Sequence, residues 1–285
     1  MRGFVLSRSR FNITKMKSFI SKENRKLSKL ALYEIEDLSY SALMKALRKK
    51  DVKVNGKRVS EDVILSIGDK VEIFYAQSST VKFQEVYKDK NILVINKFSG
   101  YTSESVFDEI SAKYPDAGFI HRLDRNTSGI MIFSLCQSCE KELLDGFKYR
   151  TFEKIYTAHV VGKMPKKSDV LTAYLLKDKE NATVKIFNTQ VKNSVPIKTG
   201  YDVVEEHADY SVLSVRLYTG KTHQIRAHLA HIGHPIIGDG KYGDFDANNK
   251  FKEKSQKLSA TKLILHFSKD SLLYYLNDKI FSIKG

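Results

Sequence analysis

The sequence predicts an α+β protein of two domains, a small basic N-terminal one and a larger one built on a mixed, mainly antiparallel β-sheet. Three observations carry that expectation. The chain has 285 residues, 42% of them hydrophobic and 11% aromatic, which is room for two cores at roughly 150 residues per domain. Beyond residue 82, strand-like segments outnumber helical ones and do not alternate with them as a doubly wound parallel fold requires. Residues 1–80 carry 17 basic and 9 acidic residues, about half of the net charge of +15, so charge alone sets a first segment apart from the rest.

Residues 1–15 show no periodicity and are expected to be a basic arm or a misassigned start ahead of Met16. Leu27, Leu30 and Leu32 fit a short helix. Ser39 or Ser41 can cap a second, with Leu43, Ala46 and Leu47 on one face and Lys45, Arg48, Lys49 and Lys50 on the other. VKVNGKRV, Val52 to Val59, alternates about Asn55-Gly56, a dipeptide that suits the positive φ values of a tight hairpin. A strand from Lys70 to Tyr75 follows the turn at Gly68-Asp69. AQSSTVK, residues 76–82, is polar and aperiodic and reads as a linker, giving domains of 16–80 and 81–285. In the second domain, strands are expected at ILVIN (Ile92 to Asn96), IMIFSL (Ile130 to Leu135), KIYTAHVVG (Lys154 to Gly162), ATVKIF, SVLSVRLY, LILHF (Leu263 to Phe267) and IFSI. Helices are expected from about Glu104 to Lys113, up to about Phe147, and over Ile225, Leu229 and Ile232, where Gly233 is placed to end the last.

Several function classes are excluded. No run approaches the roughly 18 apolar residues of a membrane span; the best, Ile130 to Cys136, is short. The apolar stretch Gly3 to Leu6 is too short for a secretory signal, so a cytoplasmic protein is expected. A pI near 9.5 favours an anionic partner, nucleic acid first. Cys136 and Cys139 form a lone CxxC, short of four zinc ligands, and read as two reduced thiols on a helix face. His223, His228, His231 and His234 lack the HExxH spacing and an intervening glutamate, so no metal is expected. GDGKYG does not follow the P-loop or dinucleotide pattern, so no nucleotide cofactor is expected either. With no coiled-coil pattern, the expected state is a monomer.

Two segments carry chemistry. HRLDRNTSG, His121 to Gly129, sets Asp124 among Arg122, Arg125 and His121, ahead of a run of turn-forming residues. Nearby positive charge favours the ionised carboxylate. On spacing alone it fits a nucleophile, a base or a salt-bridge partner. GKTHQIRAHLAHIGHPIIGDGKYG, Gly220 to Gly243, places Arg226 beside the buried face of its helix, where it can point into a cleft.

Two resemblances follow from these residues. Residues 22–75, with two helices, a basic hairpin and the ending GDKVEIFY, resemble the S-four RNA-binding domain, although KLSKL at Lys26 to Leu30 departs from that family's usual first helix. The resemblance implies RNA contacts from Lys45, Arg48, Lys49, Lys53, Lys57 and Arg58. HRLDRNTSG, KIYTAHVVG and GKTHQIRAHLAHIGHPIIGDGKYG resemble, in order, the three motifs of the RluA family of pseudouridine synthases, with Asn126, Lys221 and the Phe98 of NKFSG as departures. That resemblance implies a pseudouridine synthase domain that isomerises uridine in RNA, with large-subunit ribosomal RNA as the expected substrate, through an aspartate and without cofactor. It implies Asp124 as the catalytic aspartate, Tyr156 as the tyrosine packing on the target base and Arg226 as the partner of the aspartate. Arg122 is then the candidate to fill the space left by a flipped base, with Arg125 as a further RNA contact. The alternative is an inactive RNA-binding or ribosome-assembly factor on the same fold.

Overall fold

A computed structural model describes residues 13–35, 38, 40–77, 81–178, 180–253 and 255–284. The chain divides between Val81 and Lys82 into two compact units.

The first unit comprises β1 (Ile13–Ile20), β2 (Arg25–Lys26), α1 (Leu27–Glu34), α2 (Tyr40–Arg48), β3 (Val52–Val54), β4 (Lys57–Val59), β5 (Ile64–Leu65) and β6 (Lys70–Gln77). Its four-stranded sheet has the order β1-β6-β3-β4. Leu27, Leu30 and Ala31 of α1 and Leu43, Ala46 and Leu47 of α2 meet Val52, Val71 and Ile73 in one core. The Asn55-Gly56 turn has positive φ at both residues, 50° and 79°, as the hairpin signal requires. β1 was not foreseen. It pairs along its length with β6 from Ile13 onward, so three residues assigned to the arm belong to an edge strand, while residues 1–12 lie outside the described residues. The start of α1 is also nonlocal: the Ser28 N–H and hydroxyl both donate to the Asp62 carboxylate, at 2.8 and 2.7 Å. The Ser39 cap lies outside the described residues, as does the side chain of Ser41.

The second unit comprises β7 (Phe83–Lys88), β8 (Ile92–Lys97), α3 (Ser103–Lys113), β9 (Gly118–Phe119), β10 (Ser128–Ser134), α4 (Gln137–Tyr149), β11 (Glu153–Val161), β12 (Ser168–Asp178), β13 (Thr183–Phe187), β14 (Val195–Glu206), β15 (Tyr210–Leu217), α5 (Gln224–His231), α6 (Phe245–Lys250), β16 (Leu258–Ile264), a short 3-10 turn at Tyr274–Leu276 and β17 (Ile280–Ser282). The sheet runs β13-β12-β14-β15-β11-β16-β10-β8-β7, with β17 on β16 and β9 on β10. Only β10 and β16 pair in parallel; the other described pairs are antiparallel. The sheet is therefore mixed and mostly antiparallel, as expected.

Why ILVIN and IMIFSL are unbroken apolar runs is now clear. Leu93, Ile95, Met131 and Phe133 enter one core with Val106, Ile110 and Leu213. Ile92, Val94, Ile130 and Ile132 enter another with Leu143, Phe152 and Leu263. Both faces of these strands are buried, which removes the polar alternation of a half-exposed strand.

Two expectations are corrected here. The last long strand begins at Leu258, five residues before LILHF, and ends at Ile264; it is a central strand between β11 and β10. Cys136 and Cys139 are joined in a disulfide rather than held as two thiols. Cys136 is the extended residue before α4 and Cys139 lies in its first turn, which brings their Cα atoms to 5.5 Å.

Gly129 marks the point where β10 meets β16. Its φ is 123°, and a Cβ there would fall 2.3 Å from the Ala260 carbonyl oxygen. Gly129→Ala is therefore expected to lose about 3 kcal/mol or more, from backbone strain and strand separation together, read as a lowered urea midpoint.

Candidate active site

Asp124 lies on the loop between β9 and β10, and that loop is held from below. Ser103, the buried first residue of α3, uses its hydroxyl twice: it donates to the Leu123 carbonyl and accepts from the Leu123 N–H, both at 2.9 Å. Lys97, at the end of β8, is fully buried. Its ammonium donates to the carbonyls of Phe98, Tyr101 and Arg125 at 3.2, 2.9 and 3.2 Å, so all three protons are used on loop backbone. Burial pushes Lys97 down to about 8, against the opposing pull of Asp124 and Glu104. The Thr127 N–H closes the turn onto the Asp124 carbonyl at 3.0 Å. His121 is locked as a neutral ring: its Nε2 accepts from the Ile132 N–H at 3.1 Å, and burial, then Lys154, pushes it down to about 3.

Arg226 comes from α5. Its exposure is 6%, and a buried guanidinium needs its donors matched. Nε and Nη2 donate to the two oxygens of Asp239 at 2.7 and 2.8 Å, and Nη1 donates to Asp124 Oδ2 at 3.0 Å. Asp239 Oδ1 also accepts from the backbone of Lys241 and Tyr242, at 2.8 and 3.2 Å. Burial opposes the charge on Arg226, but Asp239 and then Asp124 more than offset it and raise its pKa. Burial likewise raises Asp239, and Arg226 with the two backbone donors outweighs it, so its carboxyl is lowered. Among the described residues, Asp124 Oδ1 has no hydrogen-bond partner. Arg226 thus holds one oxygen of Asp124 and leaves the other open.

Two aromatic groups complete the setting. Tyr156, on β11, is 8% exposed and lines the same cavity as Asp124, of about 430 Å³. Burial and then the Asp124 charge push its phenol up, so it stays protonated. Tyr242 lies under Arg226, with the guanidinium carbon 5.2 Å from its ring centroid. Its hydroxyl accepts from the Val184 N–H at 2.8 Å and meets His223 Nδ1 at 2.9 Å. All three groups are satisfied when the hydroxyl donates to Nδ1, which puts the ring proton on Nε2, 3.8 Å from Asp124 Oδ2.

Asp124, Tyr156, Arg226 and Arg122 therefore converge on one cavity, from one loop, a strand and a helix. Arg122 stands at the rim, largely exposed, 3.2 Å from Glu104. Arg125 is turned away and donates to the Gly100 carbonyl at 3.0 Å. Lys45, Arg48, Lys49, Lys57 and Arg58 are exposed on α2, the turn after it and the hairpin of the first unit; Arg58 donates to the Lys50 carbonyl at 2.9 Å. Lys53 is half-buried over the Phe74 ring. The four histidines make four separate contacts, with Tyr242, Thr199, Asn188 and the Val161 carbonyl. Among the described residues, no group of three or more His, Cys, Asp or Glu side chains is placed to hold a metal.

Lys97, His223, Asp239 and Tyr242 were not singled out from the sequence as parts of the Asp124 site. For Asp239 a signal existed: in HPIIGDGKYG a lone carboxylate follows two isoleucines that are themselves buried.

Residues 86–231 match the family described as RNA pseudouridylate synthase. Over 276 residues the chain is 29% identical to ribosomal large subunit pseudouridine synthase C of Vibrio cholerae, spanning 86% of this chain and 84% of that protein. It is 32% identical over 232 residues to ribosomal large subunit pseudouridine synthase D of Blochmanniella floridana, spanning 72% and 70%. Among solved structures, human RNA pseudouridylate synthase domain containing 1 aligns with a TM-score of 0.58 at 25% identity, over 64% of this chain and 77% of that one.

Proposed function

The chain belongs to the RNA pseudouridylate synthase family, and from that premise we propose that it converts specific uridines of large-subunit ribosomal RNA to pseudouridine, acting as a cytoplasmic monomer. The observation that carries the reading is the open oxygen of Asp124, held beside Tyr156 in one cavity by an arginine that is itself held by a buried aspartate.

Uridine and pseudouridine are isomers. The bond from base N1 to ribose C1′ breaks, a bond from base C5 to C1′ forms, C5 gives up its proton and N1 gains one. No electrons are exchanged and no atom is supplied from outside, so side chains and water suffice. Asp124 starts the reaction at the ribose or the base with its free oxygen, by nucleophilic attack or by removing a ribose proton. Tyr156 supplies a flat apolar face on which the detached base stays bound while it turns. The target must leave its stack to reach Asp124, at a cost of a few kcal/mol, and Arg122 at the rim, held only by an exposed pair with Glu104, occupies the vacated position by stacking its guanidinium.

The first unit acts as an S-four-type RNA-binding domain, through α2 and the hairpin. Arg48→Glu with Lys49→Glu is expected to weaken RNA binding more than tenfold and flatten its salt dependence, leaving the single-turnover rate at saturation unchanged.

The test of the main reading is tritium release from carbon-5-labelled uridine in unmodified large-subunit ribosomal RNA transcripts. Release matched by pseudouridine in the digested product is expected. No release from ribosomal or transfer RNA by a protein that binds them would overturn it.

A further inference from the structure

The cavity lining carries positive charge that no carboxylate among the described residues pairs with. Lys154 precedes Tyr156 by two residues on β11, so the two side chains stand on the same face of the strand, about 6.6 Å apart along it. Both line the cavity, with Lys148 and Arg150 from the end of α4. The corner that brings α4 against β11 is fixed: a Cβ on Gly146 would fall 2.2 Å from the Phe152 ring, and Arg150 ends the helix with a φ of 61°. Gly220 across the cavity leaves room for the Lys154 ammonium, which lies 3.1 Å from where a side chain there would begin.

Among the described residues, no carboxylate pairs with Lys148, Arg150 or Lys154. Glu153, the nearest in sequence, projects from the other face of β11 and is paired with Arg216 at 3.6 Å and His266 at 3.4 Å. Lys148 and Lys154 instead rest against the rings of Tyr149 and Phe147, at 5.0 and 5.5 Å. Burial, then the neighbouring Arg150, lowers the pKa of Lys154. Lys154 is partly withdrawn from water beside the Arg150 charge, and like charges gathered without a counter-ion repel one another, so an anion entering between them is stabilising.

Resting on the uridine-isomerase reading, we propose that Lys154, with Lys148 and Arg150, is a subsite for one backbone phosphate of the RNA strand, the phosphate adjoining the uridine seated over Tyr156. The cavity then has a division of labour along its length. Asp124 and Arg226 face the sugar at one end, Tyr156 carries the base, and Lys154 takes the phosphate that any nucleotide drawn from a strand must bring with it. The bond to that phosphate fixes how deep the nucleotide enters, and so aligns the sugar with Asp124.

The test uses the full chain and an unmodified large-subunit ribosomal RNA transcript, with affinity measured by filter binding between about 50 and 200 mM salt. Lys154→Met is expected to weaken binding about tenfold, as for loss of one charge-assisted hydrogen bond, and to make the slope of log affinity against log salt shallower by about one. Arg150→Gln should move both quantities the same way, and Arg150→Lys should restore the slope. Folded variants with wild-type affinity and slope would overturn the subsite. Tritium release is measured on the same samples. Release with coincident slopes removes the subsite and leaves the isomerase reading, whereas shifted slopes without release by the wild type support the subsite and remove that reading.

Discussion

Asp124→Asn is expected to reduce uridine conversion by on the order of 10⁴-fold or more while leaving RNA affinity nearly unchanged. The substitution keeps size and shape but removes a cavity-lining carboxylate whose Oδ1 has no hydrogen-bond partner among the described residues. An amide is neither a nucleophile nor a base toward a ribose carbon or its proton. The fold should survive, because Arg226 retains both bonds to Asp239 and loses only the charge partner at Nη1. The cost to stability is then about 1 kcal/mol, that of one bond in a partly open site. Single-turnover tritium release with enzyme in excess, beside filter binding of the same RNA, separates chemistry from affinity. Conversion within about tenfold of the wild type, a difference of only about 1.4 kcal/mol in barrier, would show that Asp124 does not begin the reaction.

How much of this was legible in the sequence depends on whether the signal was local. The hairpin at Asn55-Gly56, α3 and the buried runs of β8 and β10 are written in neighbouring residues, through turn conformation, local pattern and unbroken apolar character, although the Thr102 cap of α3 was not among the sequence expectations. The Thr102 hydroxyl accepts from the Ser105 N–H at 3.2 Å, as such a cap should. β1 was missed because its partner β6 lies some fifty residues away and its own alternation is weak. The start of α1 depends on Asp62, and the seating of Asp124 depends on Lys97 and Ser103, none of them adjacent to what they hold. The CxxC pair was misread because spacing alone does not say that one cysteine precedes the helix while the other sits in its first turn. Within the site, Asp124, Tyr156 and Arg226 were reached through motif resemblance, and the structure brings them to one cavity. The aspartate behind Arg226 has no local signal of its partner, because it lies 13 residues away beyond the end of α5 and its glycine-rich context speaks only to phosphate binding.

Asp239→Asn is the substitution that tests that hidden aspartate, and its effect should exceed what a residue outside the cavity would suggest. Asp239 is 1% exposed and neutralises a guanidinium that is almost as buried. Removing one member of such a pair leaves a buried charge short of its partner and costs about 3–5 kcal/mol, read as a lower urea midpoint. The catalytic effect has a separate origin. Asp239 occupies two of the three donor positions of Arg226, so only Nη1 reaches Asp124 and Oδ1 stays free. Once Asp239 is neutral, the remaining carboxylate is Asp124, and the fork of the guanidinium can engage both of its oxygens, as paired arginines and carboxylates prefer. The reacting oxygen is then covered. The maximal rate is expected to fall by about 10²-fold, the scale of a small misplacement in a site, with the RNA concentration at half-maximal rate little changed, measured at a temperature where both proteins are fully folded. A pH series checks the electrostatics independently. The folded pKa of Asp239 is lowered, so its contribution to stability is fully present above the unfolded value near 3.9 and is lost as pH falls through the folded value. The stability gap between wild type and Asp239→Asn should therefore narrow below about pH 4. A constant gap with an unchanged maximal rate would mean that Arg226 is held by its packing on Tyr242 rather than by the buried carboxylate.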